Sequence, residues 1–190
     1  HALGWKKPKQ FERFEWDIQS VFGPDATWGD WRAAPGVTAE IKIVLEQVER
    51  GIKDRLCTYG KAPERYNLIH ADMRLANLLV HRNETRLIDF DDCGFGWLMY
   101  DFAAAISFIE DDPRISDLKS AWLHGYQTVR HLSFEDIDEV GTLIMLRRIA
   151  LLAWIGSHID APEPQSFAPG FAQVTAQLGK MWLENTGPFA

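Results

Sequence analysis

The 190-residue chain carries 20 basic and 27 acidic side chains, a formal net charge of −7, and is 46% hydrophobic and 25% charged. That composition suits one globular domain, or one large lobe of a bilobed one, and excludes global disorder, a collagen-like repeat and a disulfide-stapled miniprotein. The acidic balance argues against a dedicated nucleic-acid binder and for neutral or cationic partners.

Residues 1–36 hold Trp5, Trp16, Trp28 and Trp31 together with Pro8, Pro24 and Pro35. No helical period lasts there, so the segment reads as loop with short helical turns, its indoles serving as packing anchors. Thr38 is placed as an N-cap, and Ile41, Leu45, Val48, Ile52 and Leu56 then recur at helical spacing. This predicts an amphipathic helix over 37–60 that ends near Gly60, with Pro63 blocking continuation. Three short β-like runs come next, Tyr66–His70, Leu78–Val80 and Arg86–Phe90, with a turn over His81–Thr85. The middle is thus a small hairpin with polar groups at its ends. Helices are predicted over 100–110, 115–131, 135–158 and 170–184.

Cys57 and Cys93 form no CxxC pair, and two buried free thiols are expected. The most apolar run, Leu143 to Ile155, contains Arg147 and Arg148, which argues against a membrane span. No signal peptide is read, so the expected location is the cytoplasm. The chain opens on His1 rather than Met and reads as a piece whose beginning lies elsewhere.

His70, Asp72, Asn77, Asp89, Asp91 and Asp92 all fall where β-like runs start or stop. Turn-forming explains that placement by itself. Two loops leaving one end of a hairpin would also converge their oxygens, a donor set suited to Mg²⁺ with phosphate oxygens completing the shell. A zinc site from His70, Asp72 and His81 lacks the ligand spacing zinc needs. His124, His131 and His158 lie in helical stretches. Asn83-Glu84-Thr85 fits a glycosylation sequon but reads more simply as a hairpin turn.

The first loop is H-x-D-x-x-x-x-N, from His70 to Asn77, and Ile88-Asp89-Phe90 stands a dozen positions later. This pattern is the C-lobe signature of kinase-like phosphotransferases. The stretch LIHADMRLANLLV…RLIDFDDCGFGWLMYDFAAAI resembles the aminoglycoside phosphotransferase/choline kinase-like superfamily. Its Asp-Phe-Asp-Asp variant resembles the homoserine-kinase-type and stress-response-kinase-like branches. The resemblance covers about residues 66–110.

The resemblance implies a mainly α fold with a small β-hairpin, the C-terminal lobe of a protein kinase-like fold. It implies ATP and Mg²⁺ as cofactors and a small-molecule hydroxyl as acceptor. Asp72 matches the catalytic aspartate, Asn77 a metal ligand, and Asp89 the aspartate that bridges metal and phosphates. His70 matches the histidine that braces the loop. Arg74 stands where a cation can meet the γ-phosphate, or it pairs with an aspartate of the second loop. Leu79 would lie under the adenine. Asp101 matches an aspartate that starts a helix and ties back to the catalytic loop, and Asp91 is either a further metal ligand or faces substrate. Gly94 and Gly96 are expected to loosen the segment after the second loop. Glu110-Asp111-Asp112 reads as a solvated helix end that could also meet a cationic amine.

No stretch reads as the N-terminal lobe, so the whole of 1–190 is read as the C-terminal lobe. Its parts are the Trp-containing segment 1–36, the helix 37–60, the loops on a hairpin over 66–92 and a helical subdomain over 100–190. The missing lobe would be its partner, and alone the chain would turn over little. Two other readings stay open: a protein Ser/Thr kinase of the stress-response type, and a catalytically idle kinase-like binding protein.

Overall fold

The computed structural model describes residues 7–82 and 84–189; Trp5 and Asn83 lie outside the described residues. Thr38 caps helix α2 (Ala39–Tyr59) by accepting from the Ile41 amide at 3.3 Å. Gly60 ends it at φ 73°, a left-handed position that glycine takes without strain. Leu45, Val48, Ile52 and Leu56 of α2 are each 1% exposed or less. Each such burial is worth about 1.5–3 kcal/mol.

The centre of the core is α6 (Val140–Ser157). It is apolar on every face, so it is stable only when surrounded. α2, α3 (Tyr100–Ala105) and α7 (Pro162–Leu183) pack against it. The stretch Phe134–Ser157 is long and apolar enough to cross a membrane, but 83% of its most apolar window is buried within the fold. It is the core helix of this chain.

Two small sheets carry the site. β1 (Phe14–Trp16), β5 (Gly94–Trp97) and β2 (Tyr66–Ile69) form a three-stranded sheet with β5 in the middle, parallel to β1 and antiparallel to β2. β3 (Leu78–His81) and β4 (Glu84–Leu87) form a separate hairpin, with Leu78 opposite Leu87. That register places Asn77 and Ile88 at one end, where the Ile88 amide donates to the Asn77 carbonyl at 3.1 Å.

Several elements differ from the sequence reading. Gly94 and Gly96 do not loosen the chain; they build the buried middle strand. A Cβ on Gly94 would lie 2.4 Å from the Phe14 carbonyl oxygen, and one on Gly96 2.4 Å from Ile69 Cδ1. Close approach between strands requires glycine here, which hides the strand from any hydrophobic pattern. The N-terminal segment contributes β1 and the short helix α1 (Ile18–Phe22) besides its turns. The run expected over Arg86–Phe90 leaves the hairpin after Leu87. The 100–110 helix stops at Ala105, and α4 spans Ile115–Gln127. The 135–158 helix is two, α5 (Phe134–Asp138) and α6. α7 begins at Pro162 and kinks at Pro169 and Gly170, so it also covers residues expected as loop. Both cysteines are free, but Cys57 is exposed and Cys93 half-buried, because Cys57 falls on the outer face of α2.

Candidate active site

The loop after β2 turns sharply at Ala71, whose φ of 66° is unusual for a residue with a Cβ. Asp101 holds it there. Its Oδ1 accepts from the Ala71 amide at 2.8 Å and its Oδ2 from the His70 amide at 3.1 Å. Asp101 therefore ties α3 to the loop. It is not the N-cap, however; Met99 occupies that position and makes no side-chain cap bond. Burial pushes the Asp101 carboxyl up, and the Ala71 and His70 amides oppose that rise.

His70 links the two loops. Its Nδ1 accepts from the Asp72 amide at 3.3 Å, and its Nε2 lies 3.1 Å from the Ile88 carbonyl oxygen. Both bonds form together in the Nε2–H tautomer. Its ring also meets Phe90, with centroids 4.7 Å apart.

Asp72 is 8% exposed and receives donors from three directions. Asn77 Nδ2 donates to its Oδ2 at 2.9 Å and to its carbonyl at 2.8 Å. Arg74 Nε donates at 3.2 Å. Arg147 Nη2 donates to Oδ1 at 2.9 Å. The carboxylate is thus locked in orientation, as a group acting on one hydroxyl must be. Arg74 pairs with Asp72 and, at 3.1 Å, with Glu163 of α7, not with the second loop.

Asn77 spends its amide donors on Asp72, and no described donor bonds its Oδ1. Asp89, at φ 64°, begins the second loop and makes no hydrogen bond or ion pair with a described residue. Two hard oxygens without protein donors fit Mg²⁺, which prefers one or two protein ligands and completes its shell with water and phosphate. Among the described residues no three His, Cys, Asp or Glu side chains converge as a metal cluster. Asp91 is exposed, and its carbonyl accepts from Arg13 Nη2 at 2.5 Å. His81, His124, His131 and His158 are all exposed.

The second loop is shaped from the N-terminal segment. Arg13 also donates to the carbonyls of Phe90 and Cys93, and Trp16 Nε1 donates to the Asp92 carbonyl at 2.8 Å. This arrangement turns Asp92 inward. Beside Asp72 lies a cleft of about 80 Å³, lined by Asp72, Arg74, Asp92 and Arg147 and walled by Trp28, Phe108, Leu151 and Trp154. Burial pushes the Asp92 carboxyl up; Asp72 and Asp89 add to the rise, while Arg147 and Arg74 oppose it.

Three of these groups, Arg13, Trp28 and Arg147, are not assigned to the site by the sequence, and Asp92 is named there among the converging oxygens without a role of its own. Arg147 and Arg148 did carry a signal, since guanidinium groups inside an apolar helix require buried partners. Arg147 finds Asp72 and Ser107, and Arg148 finds Glu110 and Thr175. Glu110 is consequently fully buried in an ion pair and is not part of a solvated helix end. Leu79, 52% exposed, is no part of the hairpin's core and is open to a ligand.

The model of the phosphotransferase enzyme family, APH, matches residues 8–134. No curated protein matches the chain. Among solved structures, that of the microcompartment-associated aminopropanol kinase superposes with a TM-score of 0.90 at 40% identity. The match covers 97% of this chain and 58% of that one, so the chain spans little more than half of that relative's length. Amicoumacin kinase hAmiN, in complex with AMP-PNP, Ca²⁺ and Ami, superposes with a TM-score of 0.66 at 18% identity, over 93% of this chain and 54% of that one. The mostly helical architecture with few strands is thus that of kinase-like proteins, and the chain belongs to the phosphotransferase enzyme family.

Proposed function

We propose that this chain is the C-terminal lobe of a small-molecule kinase that transfers the γ-phosphoryl group of ATP, with Mg²⁺, to an acceptor hydroxyl. The observation that carries this reading is the orientation of Asp72, held by Asn77, Arg74 and Arg147 at the edge of a cleft. A hydroxyl bound there donates its hydrogen bond to Asp72. The new P–O bond forms at that oxygen, the bond between the β–γ bridging oxygen and the γ-phosphorus breaks, and ADP leaves. Asp72 takes the hydroxyl proton and returns it to water. Asn77 and Asp89 would hold the metal, which neutralises phosphate charge when bound. Arg74, next to Asp72, supplies positive charge for the transferring group. His70 and Asp101 keep the two loops in register.

The C-lobe assignment rests on a surface. Leu79, Val80, Ile88 and Phe90, on or next to the β3–β4 hairpin, are exposed apolar residues beside Asp89. An adenine and an N-terminal lobe would cover them. The 40% identical aminopropanol kinase favours a small amino alcohol as acceptor.

The test is transfer from γ-labelled ATP with Mg²⁺ by the full reading frame containing this chain, against amino alcohols, aminoglycosides, sugars and a protein substrate. Transfer to a small molecule that falls by about 10²–10⁴-fold in Asp72→Asn is the expected outcome. Transfer unaffected by Asp72→Asn overturns the reading, and label in protein moves it to the protein-kinase class.

A further inference from the structure

Asp92 differs from the other charged groups of the cleft. Arg74 and Arg147 both donate to Asp72, and Arg74 also pairs with Glu163. Asp72 is oriented by those two groups and by Asn77, and three donors leave a carboxylate, which accepts about four, room for one hydroxyl. The Asp92 carboxylate lines the same cleft, half-buried, and receives a hydrogen bond from no described side chain or amide. The cleft therefore offers one free anionic acceptor, set among Trp28, Phe108 and Trp154.

We propose that Asp92 binds the ammonium group of the acceptor, and that the acceptor is a small amino alcohol whose hydroxyl meets Asp72. This deepens the phosphotransfer reading and rests on it. An ammonium satisfies Asp92 by a charge-assisted hydrogen bond and relieves the crowding of Asp72 and Asp89 around it. The aromatic walls pack the intervening carbons and keep out water. Size is the second argument. About 10–15 Å³ holds one water-sized group. A cleft of about 80 Å³ therefore takes on the order of five to eight non-hydrogen atoms. A three-carbon amino alcohol fits within it, whereas an aminoglycoside would project beyond it. The N-terminal segment acquires a specificity role, since it supplies Trp28 and, through Trp16, holds Asp92 in place.

The test compares 1-amino-2-propanol with 1,2-propanediol, which keeps the carbon chain and loses the charge. Two measurements use the full reading frame. One is the ratio of kcat/KM for the two acceptors; the other is their direct binding by calorimetry without nucleotide. The amine is expected to win in both, and Asp92→Asn to cut the preference by about 10–100-fold, chiefly through KM. Asp92→Glu, which keeps the charge, is expected to retain part of it, and equal melting temperatures exclude misfolding. An unchanged preference in Asp92→Asn overturns the proposal, as does equal binding of amine and diol. Amine-selective binding without any phosphoryl transfer overturns the reaction but supports the ammonium site.

Discussion

Arg147 Nη2 lies 2.9 Å from Asp72 Oδ1, joining the middle of the core helix to a loop 75 positions earlier. A guanidinium stays charged in a protein, so once buried it needs an anion beside it. Arg147 is 2% exposed, and Asp72 is that anion. The helix thus supplies both the floor of the fold and the brace of the candidate base.

Removing that brace tests both functions. Arg147→Met is expected to destabilise the fold by about 3–5 kcal/mol, because it leaves a buried carboxylate short of a partner. Arg147→Lys keeps the charge but not the fork that reaches Asp72 and Ser107 together. At a temperature where Arg147→Lys remains folded, kcat should fall while the nucleotide KM holds. Urea melts and steady-state kinetics on the same samples separate the two effects.

Asp89→Ala is expected to abolish metal-dependent nucleotide binding in the full reading frame, since Asn77 alone leaves one protein ligand. Asp89 makes no ion pair with a described residue, so the fold should be nearly unaffected. Titration of AMP-PNP with and without Mg²⁺ checks this. Retained metal dependence would remove Asp89 from the metal site.

Gly94→Ala should destabilise the chain by about 1–3 kcal/mol or more, because the added methyl meets strand backbone that cannot move aside. The loss would appear in the urea midpoint. It should also loosen the second loop, since Gly94 comes directly after the carbonyl that Arg13 holds. An unchanged midpoint would mean that β1 does not pair with β5.

Acid should unfold the protein through three buried carboxylates. Burial raises Asp17, but Lys61 with the Ser20 and Gln19 amides more than offsets it and holds the carboxyl below its ordinary value. Burial likewise raises Glu49, outweighed by Lys53, Trp31 and Arg32, and raises Asp136, outweighed by Tyr59 and Ser133. A depressed folded pKa contributes stability that is present above the unfolded value and lost as pH falls through the folded one. The contribution of these three groups to thermal stability should therefore be constant from pH 7 to about 5 and drop below about pH 4.5, where unfolded carboxyls begin to protonate. Asp136→Asn should flatten that drop while lowering the melting temperature at pH 7.

The arrangement of the candidate site was legible in the sequence because it is local. His70, Asp72, Asn77 and Asp89 lie within one short stretch, and loop positions suit those residue types. In the structure, hydrogen bonds of His70, Asn77 and Asp101 hold this stretch together. The helical periodicity of 37–60 was equally legible, since an amphipathic face and its cap are written in consecutive residues. The tertiary structure decided what surrounds the motif. Arg13, Trp16 and Trp28 come from a segment with no readable period, and Arg147 from a helix apolar on every face. Glycines made β5 invisible because they are there for what approaches them, not for a side chain of their own. Periodicity and capping report on neighbours in sequence; the partner of a buried charge is set by which elements pack together, and that is settled only when the chain has folded.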